Sequence, residues 1–250
     1  MSVTTPTTLP KACLVVGAGD ATGAAIARAF AREGYIVCLV RRPRHAEALE
    51  ALTQSIRERG GRAVAMPADA RDETAVAALV EKIEADIAPL EVAVFNIGAN
   101  VMFPVVDTTA RVFRKVWEMA CFAGFLTSRE VAQRMIPRGR GTIIFTGATA
   151  SVRGSAGFGA FASAKHGLRA LAQSMARELG PHNIHVAHVV IDGAIDSAFI
   201  RENFPDADDR RKEDALLQPD DIARTYVMLH NQPRTAWTHE LDLRPWKEKW

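Results

Sequence analysis

Seven short runs rich in Val, Ile and Leu recur along this chain, and the gaps between them are mostly wide enough for an amphipathic helix. This alternation restricts the fold more than any other feature, because a parallel sheet wound with crossover helices needs short apolar strands covered on both faces. Strands are predicted at Ala12–Val16, Ile36–Val40, Ala63–Met66, Val92–Phe95, Gly141–Thr146, His185–Ile191 and His239–Leu243. A first helix over Ala21–Glu33 stops at Gly34, and a second over His45–Arg59 ends at Gly60-Gly61. A third runs from Asp72 as N-cap towards Ala85, and a long one fills Ala110–Ile136 before Pro137. At 250 residues and 48% hydrophobic content the chain can bury one large core. Residues 12–250 therefore read as a single α/β domain after a flexible tail, 1–11, with a mobile polar segment at about 198–217 around FPDADDRRKED.

The turn between the first strand and first helix reads VVGAGDATGAA. Gly17, Gly19 and Gly23 let the backbone fold tightly and present N–H groups at a helix start, which makes a phosphate cradle; an ordinary tight turn is the plainer reading. After the second strand, where an NAD-binding chain commonly places Asp or Glu for the ribose hydroxyls, stand Val40, Arg41 and Arg42. A carboxylate repels a 2′-phosphate and a guanidinium binds it, so NADP(H) is expected over NAD(H), unless the arginines form only a solvated loop.

The net charge of +2 leaves no footprint for nucleic acid or membrane, and a small-molecule partner is expected. Cys13, Cys38 and Cys121 have no metal or redox spacing, which points to the cytoplasm. His182, His185 and His188 resemble a metal spacing, but His185 and His188 fall on opposite faces of a strand, and no metal is expected.

The GAGDATG loop, Asp69 after the third strand, the FNIGA turn and the FASAK helix occur in the order of the short-chain dehydrogenase/reductase family, which the chain resembles over nearly its whole length. The resemblance implies a Rossmann-like, doubly wound seven-stranded sheet in a homotetramer or homodimer. It also implies a cofactor site of Gly17, Gly19, Asp20, Ala21, Thr22 and Gly23 on the loop, with Arg41 and Arg42. Asp69 and Ala70 would lie at the adenine, Asn96, Ile97 and Gly98 under the ribose, Lys165 at the nicotinamide ribose, and Gly193 and Ile195 in the turn covering the nicotinamide. Three matches depart from the pattern: Ala21 for the middle glycine, Asn96-Ile97-Gly98-Ala99 for Asn-Asn-Ala-Gly, and Asp192-Gly193 for Pro-Gly.

In proteins similar to this one a tyrosine protonates the alkoxide formed by hydride transfer, assisted by a lysine, a serine and an asparagine. The same alignment puts Phe161, Ala148 and Cys121 at the tyrosine, serine and asparagine, leaving Lys165. Phe158 stands at the alternative tyrosine position of enoyl reductases, and Tyr35 and Tyr226 lie outside the motif. Thr146, Thr149, Ser151, Ser163 and Lys165 are the remaining candidates, with Thr149 preferred among the hydroxyls, while His166 points away from Lys165. Phe158, Phe161, Met102, Phe103 and Phe122 are expected either to line an apolar substrate pocket or to pack in the core. Such a pocket suits an iminium or an activated alkene. Two functions follow: an NADP(H)-dependent oxidoreductase of atypical mechanism, or a catalytically silent NADP(H)-binding or regulatory homologue.

Overall fold

The computed structural model describes residues 9–248, so residues 1–8 of the expected tail lie outside the described residues, and Leu9, Pro10 and Lys11 are exposed. Seven parallel strands form one sheet in the order β3-β2-β1-β4-β5-β6-β7. They are β1 (Ala12–Val16), β2 (Ile36–Val40), β3 (Arg62–Ala65), β4 (Leu90–Phe95), β5 (Gly141–Thr146), β6 (Ile184–Ile191) and β7 (Glu240–Leu243). Five ends differ from the hydrophobic runs by one or two residues, because ladder pairing ends a strand and apolarity does not.

Helices α1 (Thr22–Arg32), α2 (Ala46–Glu58) and α9 (Pro219–His230) cover one face of the sheet, and α3 (Glu73–Asp86), α5 (Ala123–Met135) and α6 (Gly159–Leu179) the other. Both faces of the inner strands are therefore dry: every residue of β1, β4 and β6 is buried. At about 1.5–3 kcal/mol for each large apolar side chain removed from water, these two layers supply most of the driving force for this doubly wound, Rossmann-like fold. Asp72 caps α3 as expected, accepting from the Ala75 N–H at 3.0 Å.

The stretch 110–136 is not one regular helix. It consists of α4 (Ala110–Trp117), a wide π turn over Glu118–Phe122, and α5. The Ala123 N–H reaches back five residues to Glu118, adding a residue to the turn and carrying Cys121 towards Lys165. The segment 198–217 contains α7 (Ala198–Asn203), capped by the Ser197 hydroxyl, and α8 (Ala207–Lys212). Arg201 and Arg211 both reach the buried Asp196 carboxylate, at 3.0 and 3.6 Å. β1 feeds α1 on one face and β4 feeds α4 on the other, so their loops part at the carboxyl edge of the sheet and leave a crevice there.

Candidate active site

The crevice is lined on one side by Gly17, Gly19, Asp20, Ala21, Thr22 and Gly23. Gly17 has φ +94°, and a Cβ on it would lie 2.6 Å from the Asn96 carbonyl oxygen, so backbone geometry demands glycine there. Asn96 in turn braces the loop, its Nδ2 donating to the Gly17 carbonyl at 3.0 Å and its backbone N–H to Val16 at 2.8 Å. Ala21, at the head of α1, offers no side-chain cap. The first N–H groups of α1 therefore lack side-chain partners at the crevice, and with the helix dipole they could hold an anion such as a pyrophosphate. In Gly17→Ala, strain and the clash with Asn96 are expected to cost about 1–3 kcal/mol, read as a lower urea midpoint at unchanged m-value.

A smaller cavity of about 190 Å³ continues the crevice along the end of β2 and shares Gly17, Gly19, Asn96, Ile97 and Gly98 with it. Arg41, Arg42, Asp69 and Ala70 line it, as do His45 and Arg71, which the sequence reading missed. Arg71 grips Asp69 with a two-pronged ion pair, Nε to Oδ1 at 2.9 Å and Nη2 to Oδ2 at 2.6 Å, and holds that carboxyl below its ordinary value. Partial burial, followed by the charges of Arg44 and Arg71, lowers the Arg42 guanidinium. Positive charge is thus in excess here, as a phosphate subsite requires.

The main cavity has a volume of about 590 Å³. Lys165 lies at its inner wall on α6, only 2% exposed, donating from Nζ to the carbonyls of Thr146 at 2.8 Å and Ile97 at 3.0 Å. Burial lowers its pKa to about 8. Phe161 presents its ring 6.0 Å from that nitrogen, and Phe161, Ala148 and Cys121 belong to one apolar cluster around it. Burial raises the Cys121 thiol, against the pull of the Lys165 charge, so it stays protonated. Gly193 and Ile195 close the cavity from the turn after β6.

Of the hydroxyl candidates, Thr146 and Thr149 line this cavity, and Ser151 and Ser163 do not. Thr146 turns its hydroxyl to Tyr226 at 2.8 Å, Ser151 is fully buried and accepts from the Ala148 N–H, and Ser163 bonds back to Gly159 outside the site. Thr149 donates to the buried Asp192 carboxylate at 2.6 Å, and Arg153 reaches the same oxygen at 3.3 Å. Of the five apolar residues, Phe158 and Phe161 line the cavity, whereas Met102 and Phe103 are exposed and Phe122 stacks between Trp117 and Phe125. Phe199 and Ile200 of α7 stand in the cavity wall where those were expected. His185 stacks on Trp237, His188 bonds Glu240, and His166 bonds the Ala162 carbonyl.

The sequence profile described as short chain dehydrogenase matches residues 11–208. A short-chain dehydrogenase from Rhodopseudomonas palustris is 50% identical, with a TM-score of 0.81 over 94% of this chain and 99% of that one. A metagenomic short-chain oxidoreductase solved in complex with NADP is 28% identical, with a TM-score of 0.81 over 94% of this chain and 96% of that one. The uncharacterized oxidoreductase YxjF of Bacillus subtilis (strain 168) is 32% identical over 197 residues, 78% of this chain and 75% of its own length. Among the described residues, no helix is long and apolar enough to cross a membrane.

Proposed function

Because the chain belongs to the short-chain dehydrogenase/reductase family, we propose that it is an oxidoreductase that prefers NADP(H) to NAD(H) and works without the hydroxyl acid usual among its relatives. The observation that carries this reading is the continuous crevice, with Arg41 and Arg42 at one end, the glycine loop in the middle and Lys165 at the other. The residues fit the cofactor: α1 presents uncapped N–H groups to the pyrophosphate, and Gly19 has no atom within 4 Å of where a Cβ would stand, so a ligand can approach its backbone closely. Asp69 and Ala70 border the adenine end, Asn96, Ile97 and Gly98 the ribose, and Gly193 and Ile195 the nicotinamide.

NADPH, when bound, supplies a hydride. Lys165 has three N–H groups; two are held by backbone carbonyls, and the third remains for a ribose hydroxyl. Phe161 and Ala148 carry no proton to give, and the Thr149 proton is engaged by Asp192. A substrate that takes hydride with little protonation, such as an iminium or an activated alkene, fits such a site best. The absence of these donors also favours a second reading, a catalytically silent NADP(H) binder. The free, buried cysteines agree with a cytoplasmic setting, and exposed Phe113, Trp117 and Phe125 on α4 and α5 with a homo-oligomer.

Fluorescence titration is expected to show tighter binding of NADPH than of NADH. Arg41→Ala should weaken NADPH by roughly 10- to 100-fold and leave NADH nearly unchanged, since only the 2′-phosphate loses a charged hydrogen bond. Equal loss for both cofactors would refute the phosphate contact.

A further inference from the structure

The substrate end of the cavity has apolar walls and one guanidinium. Phe158, Phe161, Phe199, Ile200 and Ile195 line it, and Arg153 and Ser155 border the same space. Among the described residues, Arg153 is the one arginine lining this cavity, and its side chain is 40% exposed. Two contacts hold it in position. Its backbone N–H donates to the Thr149 carbonyl at 3.1 Å, a helical spacing that sets both side chains on one edge of the turn, and both side chains bond Oδ1 of Asp192. Asp192 is itself 3% exposed and does not line the cavity. The buried carboxylate therefore tethers Arg153 through one nitrogen, and the rest of the five-donor fork is available to another partner.

Resting on the oxidoreductase reading of this site, we propose that Arg153 is an anion subsite and that the substrate is a carboxylate with an apolar body. The charge balance of the lining favours this over a cationic ligand. Among the described residues lining the cavity, Lys165 and Arg153 are the basic side chains and Asp20, on the glycine loop that would face the cofactor phosphates, the acidic one; the carboxylate paired to Arg153, Asp192, is buried outside the lining. A neutral apolar ligand would cover the guanidinium donors that Asp192 does not engage without pairing them, which costs affinity. A carboxylate matches the fork with two parallel hydrogen bonds. Ser155 adds a hydroxyl beside it. The reacting carbon would then lie towards Lys165, with the apolar body between the phenylalanines.

The test uses calorimetry on the NADPH-saturated protein, with ω-phenylalkanoates of two to five carbons and the matching amides and amines. At the best-fitting length, the acid is expected to bind at least tenfold more tightly than the amide. Arg153→Met should remove that advantage while leaving amide affinity within about twofold, and Arg153→Lys should restore part of it. Equal affinity of acid and amide, tighter binding of the amine, no binding of any acid, or an advantage that survives Arg153→Met would each overturn the proposal. NADPH affinity, measured in the same samples, reports separately on the cofactor reading; if NADPH does not bind, the acid and amide titrations are judged on the apo chain. An unfolded Arg153→Met would show as lost NADPH binding, and Arg153→Lys then decides.

Discussion

In the double variant Phe161→Tyr/Ala148→Ser, NADPH-dependent reduction of a carbonyl compound is expected to rise by about 10²- to 10⁴-fold over the unaltered chain, the usual contribution of a positioned general acid. Both side chains line the main cavity, so the new hydroxyls would enter it. The Phe161 ring lies 6.0 Å from the Lys165 nitrogen, and a phenol there would have its pKa lowered by the ammonium. Serine at 148 would add a donor for the substrate oxygen in place of the engaged Thr149. The two act as a unit, so either single change should recover little. The measurement is NADPH consumption across a carbonyl panel that includes apolar oxo acids. A double variant that binds NADPH normally yet stays inert across the panel would show that the missing hydroxyls are not the obstacle.

Lys165→Met separates a binding lysine from a packing one. The variant keeps most of the aliphatic stem and deletes the charge, so NADPH affinity should fall roughly 10- to 100-fold. Stability should respond to pH in a defined direction. Burial lowers the pKa of Lys165 from 10.5 to about 8, so between these values the folded chain holds fewer protons than the unfolded chain. Wild-type stability therefore gains a contribution as pH rises through that window, and below pH 8 the folded state carries the full cost of the buried charge, on the order of 3 kcal/mol. The methionine variant lacks this gain, and urea unfolding at pH 7 and pH 10 should show wild type improving relative to it. Under the enzyme reading, turnover drops further than binding; under the silent-binder reading there is no turnover to lose. Unchanged NADPH affinity would remove the ribose contact from the proposal.

The seven-stranded parallel sheet and the glycine loop that lines the crevice were legible because their signals are local. Gly17, Gly19 and Gly23 sit within seven residues, and each strand announces itself by its own apolar run. The substrate end was not. Arg153 gains its meaning from Asp192, 39 positions away, and Arg71 from its fork on Asp69, neither of which a spacing rule detects. Met102, Phe103 and Phe122 show the same limit from the other side: apolarity marked them as candidates, but the loop after β4 and the π turn point them away from the cavity that Phe199 and Ile200 line from a distant segment. The π turn itself had no sequence mark, because one extra residue in a helix leaves composition and periodicity almost unaltered.

The brace between Asn96 and Gly17 has a kinetic and entropic consequence. One side chain ties the loop after β4 to the loop after β1, and a Cβ on Gly17 would leave no room between them. The two loops are therefore expected to move together, so that a dinucleotide would meet a cradle ordered when the chain folded. Little chain entropy remains to be lost on binding there, so association in that half should run at the rate of diffusion and docking, without a slow closing phase. Any slow step is expected at the opposite wall, where Arg201 of α7 and Arg211 of α8 share the carboxylate of Asp196.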